Sequence, residues 1–253
     1  MKQVGSRTLK GIAVMFLLAL FLSNGIAAYL GYAIIPNITK VISIIVLLTL
    51  YYTRLNHMAT VFLTIFIFTF LGDVFSVFNF GELANKLSIT FYLGGYSLLI
   101  FVLLGKLKRI KYEGLVSLYL VLVLLLNSYF LYMLYGALKD NFTDNVNLVL
   151  YICHGITLIA MTFFAFAVYL SKESTQSIIF LIMVFCMVFS DVLNYICNLY
   201  VYYWVFDFFS DMLHLTSLCL FYTYVTNHHK IIKVRDKMVR DNYVMKASER
   251  LTA

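Results

Sequence analysis

The chain has 253 residues, of which 62% are hydrophobic and only 12% charged. Soluble domains run near half apolar and about a quarter charged, so this balance, spread over long uncharged runs, predicts an all-α integral membrane protein. The net charge of +7 does not describe a nucleic-acid surface, because the basic residues fall between apolar runs and form no face. A single Pro and few loop-type residues leave room only for short connections. We therefore expect one transmembrane helical domain over 1–226 and a basic tail over 227–253.

Lys2, Arg7 and Lys10 precede an apolar run from Gly11 to Ile35. It is too long for the apolar region of a signal peptide and reads as a retained first span. The further predicted helices cover 39–53, 58–80, 87–105, 112–136, 146–170, 176–199 and 203–226. Eight helices result, most of them long enough to cross about 30 Å of hydrocarbon at about 1.5 Å per residue. A β-barrel would need alternating polarity in segments of roughly ten residues, which the chain lacks.

With the N-terminus in the cytoplasm, all but Lys40, Lys86 and Lys139 of the 19 Lys and Arg fall on the cytoplasmic side. This asymmetry predicts that both termini are cytoplasmic. "GKLKRIK" (105–111) is the clearest cytoplasmic loop, and a bacterial inner membrane is the expected location. The basic tail reads as an anchor beside anionic headgroups. Cys153, Cys186, Cys197 and Cys219 all lie inside apolar spans without a CxxC pair. They read as buried thiols and not as a disulfide or zinc framework.

Polar residues inside the spans carry the functional signal. "FTFLGDVFSVFNF" (68–80) holds Asp73, with Thr69 and Ser76 on its face. An Asp at the centre of a membrane helix costs about 2.5–3.5 kcal/mol on insertion scales, so it needs a reason. Span 4 adds Tyr92 and Tyr96, span 5 Asn127, and span 6 His154. "FSDVLNYICN" places Asp191, Asn194 and Asn198 on one stripe. "FDFFSDMLHLTS" places Asp207, Asp211, His214 and Ser217 on another. Counting along helices of alternating direction puts Asp73, Asn127, Asp191, His154 and Asp211 at similar depth, nearer the non-cytoplasmic side. A common depth predicts one cavity lined by several helices.

Neighbouring carboxyl groups in a low-dielectric cavity divide their titration, so one holds a proton while the other is ionised. This is equipment for acid–base hydrolysis of an acid-labile bond. No G-x-S-x-G setting supports an acyl-enzyme. His154, His214, Asp191 and Asp211 could offer ligands to zinc, but no H-x-x-x-H pair supports it and no cofactor is expected. Buried acids also suit a proton-coupled small-solute transporter, although no broken span or inverted half is visible. A purely structural network would serve helix packing with Ser, Thr, Asn and Gln, without ionisable groups.

Four segments resemble the YhhN-like membrane proteins, the lysoplasmalogenase family. They are "ITKVISIIVLLTLYY" (38–52), "FLGDVFSVF" (70–78), "FYLGGYSLLIFVLLGK" (91–106) and "VFSDVLNYI" (188–196). Lys40, Gly72, Asp73, Tyr96, Ser190 and Asp191 match that pattern residue by residue. Val41 stands where the family usually has Pro, and the last helix reads "FFSDMLHL" where the family often has Tyr followed by Ala-Gln. The resemblance implies a lysophospholipid substrate and cleavage of the vinyl ether bond of lysoplasmalogen to a fatty aldehyde and a glycerophospho-alcohol. Asp73 and Asp191 would then be acid and base in an order left open. His154 and Asp211 would orient them, and Lys40, near the outer mouth, could meet a lipid phosphate. Tyr96, Asn127, Asn194 and His214 complete the expected binding or orienting set.

Overall fold

The computed structural model describes residues 15, 19–27, 29–30, 34–54, 60–78, 81–107, 114–141, 145–172, 174–199 and 203–227. These residues are helical nearly throughout, and no strand occurs among them. The helices are α1 (residues 19–27 and 29–30), α2 (Ile34–Arg54), α3 (Thr60–Phe78), α4 (Glu82–Lys106), α5 (Gly114–Asn141), α6 (Asn145–Lys172), α7 (Thr175–Leu199) and α8 (Trp204–Asn227). Within hydrocarbon a helix satisfies its own backbone N–H and C=O groups, so uncharged runs of this length have no open alternative.

Among the described residues five helices, α3, α4, α6, α7 and α8, are long and apolar enough to cross a membrane, which makes this a multi-pass membrane protein. Shorter apolar stretches lie in α2 (Ile38–Tyr52) and α5 (Leu118–Met133). α8 has a mean hydropathy of only 1.2, against 2.0 to 2.2 for the other four. Its buried face carries Ser210, Asp211, His214 and Ser217. Such a helix belongs inside a bundle, and α8 touches most of its neighbours. Its aromatic rings meet Phe21 and Tyr29 of α1, Tyr51 of α2, Phe62 and Phe66 of α3, and Phe180 of α7. Lys106 of α4 donates to the Tyr224 hydroxyl and lies over its ring.

Several predicted boundaries shift. α2 starts at Ile34 and not at 39. Pro36 falls in its first turn, where a missing N–H breaks no intrahelical bond. α4 starts at Glu82 and not at 87, directly after Gly81, whose φ of +84° turns the chain out of α3. α5 continues to Asn141, past the predicted end at 136. The first residues of the predicted first span, the core of the 105–111 loop and the tail beyond Asn227 lie outside the described residues.

Around α8 the layers are unequal. α4 lies between α3 and α6. α5 packs chiefly on α6 and turns Leu122, Leu125, Tyr132 and Met133 outward, as a helix apolar all round does when lipid is its solvent. Ile44, Phe66, Leu99, Leu103, Met161, Met183, Val184 and Phe221 fill one half of the bundle at 0–1% exposure. Asp73, Asp191, Asp211, His154, His214 and Lys40 gather in the other half, where α3 and α7 end and α4 and α8 begin.

Two hairpins hold that half together by the same device. In α3–α4 the Ser88 hydroxyl donates to the Gly72 carbonyl at 2.8 Å. In α7–α8 the Ser210 hydroxyl donates to the Ser190 carbonyl at 2.9 Å, and Ser190 donates back to the Ser210 carbonyl at 2.8 Å. In each hairpin the bonded carbonyl belongs to the residue just before an Asp. Small residues that trade hydroxyl–carbonyl bonds bring helix backbones close where no hydrophobic force separates helix from lipid. A double-mutant cycle on Ser190→Ala and Ser210→Ala should give a coupling of about 0.6 kcal/mol in denaturant-titrated unfolding from micelles. Strict additivity of the two changes would show that the clasp does not couple the helices.

Candidate functional site, a polar layer inside the bundle

Asp73 on α3 has no exposed surface. The Tyr92 hydroxyl of α4 donates to its Oδ1, and His214 Nε2 of α8 lies 3.3 Å from Oδ1 and 3.4 Å from Oδ2. Tyr92 reaches Asp73 because its ring lies against Gly72, where a Cβ would come within 3.0 Å of it. A neighbouring close approach lies at Gly94, where a Cβ would come within 2.8 Å of Phe68.

Asp191 on α7 has a parallel setting. The Tyr96 hydroxyl, one turn beyond Tyr92 on α4, donates to Asp191 Oδ2 at 2.9 Å. His154 Nε2 of α6 faces the same oxygen at 3.7 Å, too long for a direct hydrogen bond. The His154 Nδ1 is held by the Tyr195 hydroxyl. The rings tie the two settings together. Tyr92 stacks on Tyr96 at 6.2 Å, and Tyr96 stacks on His154 at 5.4 Å with 27° between planes. Tyr195 sets its edge on Tyr151 at 5.3 Å, and the Tyr151 hydroxyl accepts from Asn85 at 3.4 Å. The result is two Asp–His–Tyr groups drawn from α3, α8 and α4 and from α7, α6 and α4.

A third acid has a different partner. Lys40 Nζ lies 2.6 Å from Asp211 Oδ1, with side chains 17% and 2% exposed. The sequence pattern leaves the buried acids without an internal Lys or Arg and Lys40 free for a lipid phosphate. In the structure Lys40 is instead the counter-charge of Asp211. Starting α2 at Ile34 carries Lys40 more than a turn inside the helix, where it faces α8. Thr39 beside it donates to the buried Asn24 Oδ1 at 2.6 Å, linking α1 to α2. Lys40 also lies within electrostatic range of Asp73 and Asp207, and Asp191 within range of His214 and Lys40. The acids and bases thus form one charge system.

Of the predicted residues, Asp73, Tyr96, His154, Asp191, Asp211, His214 and Lys40 meet in this layer. Asn127 does not join it, because its amide donates to Val123 O of its own α5 at 2.8 Å. Asn194 lies on the exposed side of α7. At 3.6 residues per turn it sits about 60° round the helix from Asp191, on the side away from the core. Tyr195, four residues from Asp191, falls back on the buried face, so the stripe runs through Tyr195. That spacing is the signal by which the sequence could have revealed Tyr195. Asn24 and Ser210 carry no comparable signal in the sequence.

Among the described residues, no three His, Cys, Asp or Glu gather in a way that could hold a metal ion. An open groove of about 490 Å³ is lined by Ile45, Leu48, Thr49, Tyr52 and Phe70 of α2 and α3 and shares no lining residue with the polar layer. Chemically, the layer offers carboxyl, imidazole and phenol groups within proton-transfer reach inside an apolar shell. Neither a family model, nor a curated protein, nor a solved structure matches this chain.

Removing one partner of a buried ion pair strands the other charge and costs about 3–5 kcal/mol. Lys40→Met should therefore destabilise the protein strongly in micelle unfolding, and Lys40→Met with Asp211→Leu should recover most of the loss. Full stability of Lys40→Met alone would exclude a charged pair.

Proposed function

We propose that this protein is a membrane-embedded lipid hydrolase resembling lysoplasmalogenase, which cleaves the vinyl ether bond of a lysophospholipid to a fatty aldehyde and a glycerophospho-alcohol. One observation carries this reading. Two carboxyl groups, Asp73 and Asp191, are each held by a tyrosine of α4 beside a histidine, in a buried layer next to the apolar half of the bundle. Charged side chains at such depth face the bundle interior and mark a working site. The motif resemblance at Gly72–Asp73, Tyr96 and Ser190–Asp191 falls on these same residues.

Vinyl ether hydrolysis requires that equipment. An acid gives a proton to the β-carbon, and an oxocarbenium ion forms at the carbon next to oxygen. Water adds to that carbon as a base removes its proton. The hemiacetal then collapses to aldehyde and alcohol. A carboxylic acid supplies the first proton, and a nearby carboxylate offsets the developing positive charge. The apolar walls suit the single hydrocarbon chain of a lysolipid. With this function we propose eight membrane spans, both termini in the cytoplasm and a bacterial inner membrane, on the charge asymmetry of the loops. Under that topology the site lies in the outer half of the bilayer.

A second reading, a proton-coupled small-solute transporter, draws support from the alike construction of the α3–α4 and α7–α8 hairpins, since transporters are commonly built from paired repeats. One experiment separates the two. Purified protein incubated with a panel of lysolipids should release a fatty aldehyde, read by mass spectrometry, from the vinyl ether member. Asp191→Asn should lower that turnover by about 10²–10⁴-fold, and Asp73→Asn should lower it as well. Turnover that survives both changes sinks the acid–base proposal. Solute flux into liposomes that depends on these acids, without lipid cleavage, selects the transporter.

A further inference from the structure

We infer that Asp191 and His154 are the pair that meets the substrate, and that Asp73 is a positioning residue acting on them through Tyr92 and Tyr96. This rests on the hydrolase reading above. The two Asp–His–Tyr groups share their residue types but differ in what remains available. Asp73 is fully enclosed, and both of its oxygens are contacted, by Tyr92 and His214. A carbon that is to be protonated must come within about 3–3.5 Å of the acid, and Asp73 has no free edge to offer. The Asp191 side chain keeps 16% exposure. Among the described residues, the Tyr96 hydroxyl is its hydrogen-bond donor.

The histidines differ in the same sense. His214 lies within contact of both Asp73 oxygens. His154 is 3% exposed, yet its Nε2 has no hydrogen-bond partner. A buried polar atom left unpaired is costly and rare, and a catalytic role is one reason a protein keeps one. Tyr195 fixes Nδ1, and Tyr96 stacks on the ring, so the free Nε2 edge is held towards Asp191 Oδ2. The groups that face His154 are Tyr96 from α4, Asp191 and Tyr195 from α7, and Tyr151 of its own helix behind Tyr195. From α5, uncharged Leu131 packs at the adjacent Gly155.

The sequence of proton moves follows from two groups set side by side, His154 Nε2 3.7 Å from Asp191 Oδ2. The Asp191 carboxylic acid gives its proton to the β-carbon. The π electrons form the new C–H bond, leaving an oxocarbenium ion opposite the Asp191 carboxylate. Water adds to the cationic carbon as His154 Nε2 takes its proton, giving the hemiacetal and an imidazolium. The imidazolium then protonates the ether oxygen as the C–O bond breaks. The hemiacetal hydroxyl proton passes to Asp191 as the aldehyde forms. Both groups return to their starting states, and one water is consumed.

The test uses the full chain in lipid nanodiscs with a vinyl ether lysolipid, reading kcat, KM and the pH profile of kcat. His154→Gln should lower kcat by about 10²–10⁴-fold with KM little changed, and should remove one limb of the profile. Tyr195→Phe should move that limb, because it releases Nδ1. Asp73→Asn should lower kcat by up to about 10²-fold, as misplacement does, and should keep the limb, as should His214→Gln. A limb that persists in His154→Gln, or vanishes in Asp73→Asn, overturns the assignment. Where His154→Gln does not fold, an unshifted profile in Tyr195→Phe overturns it alone. A wild-type protein that cleaves no vinyl ether lipid overturns the hydrolase reading and this assignment with it. A cleaving wild type with an unimpaired, folded His154→Gln overturns the assignment only.

Discussion

A carboxyl group inside a membrane helix is tolerated when donors or a counter-charge meet it there, and that requirement organises this bundle. Asp73, Asp191 and Asp211 each find their partners on other helices. The partners come from α2, α4, α6 and α8, so satisfying three acids specifies how most of the helices must stand. α4 is the shared element, because Tyr92 and Tyr96 sit one turn apart on one face and serve acids of two different helices, α3 and α7. α8 turns its polar stripe inward because that stripe cannot face lipid.

Close backbone approach makes this geometry possible. Gly72 leaves space for the Tyr92 ring, and the Ser190–Ser210 clasp draws α7 and α8 together at the residues beside Asp191 and Asp211. The acids therefore sit next in sequence to the closest helix contacts. A short reach holds their partners in one geometry, which a long flexible side chain on a loosely packed helix would not do. The other half of the bundle, filled by Met161, Met183, Val184, Leu99 and Phe221, keeps the layer apolar on one side. Electrostatic interactions in such surroundings act at low effective dielectric and with little screening.

Much of the layer is legible in the sequence because depth along a helix is linear in residue number. Counting along alternating spans places Asp73, Asp191, His154 and Asp211 at one level without any knowledge of neighbours. Direction around the helix is less legible. Asn127 shares the depth but turns back to its own backbone, and Asn194 shares the apparent stripe but faces outward. The partner of Lys40 escapes the sequence for a related reason. The helix of Lys40 begins at Ile34, before the predicted start at 39, and Asp211 is distant in sequence. Tyr195 escapes it too, because a tyrosine in an aromatic-rich span looks like packing until a histidine is found against its hydroxyl.

The amino-acid order alone establishes an all-helical membrane protein whose buried acids lie in one layer. Both follow from length, hydropathy and position along a helix, which are local quantities. Which acid meets which base is settled by the packing of the helices. It paired Lys40 with Asp211, closed Asp73 between Tyr92 and His214, and left the Nε2 of His154 facing Asp191. Those pairings depend on how helices far apart in sequence are rotated and how closely they approach, which no single helix specifies.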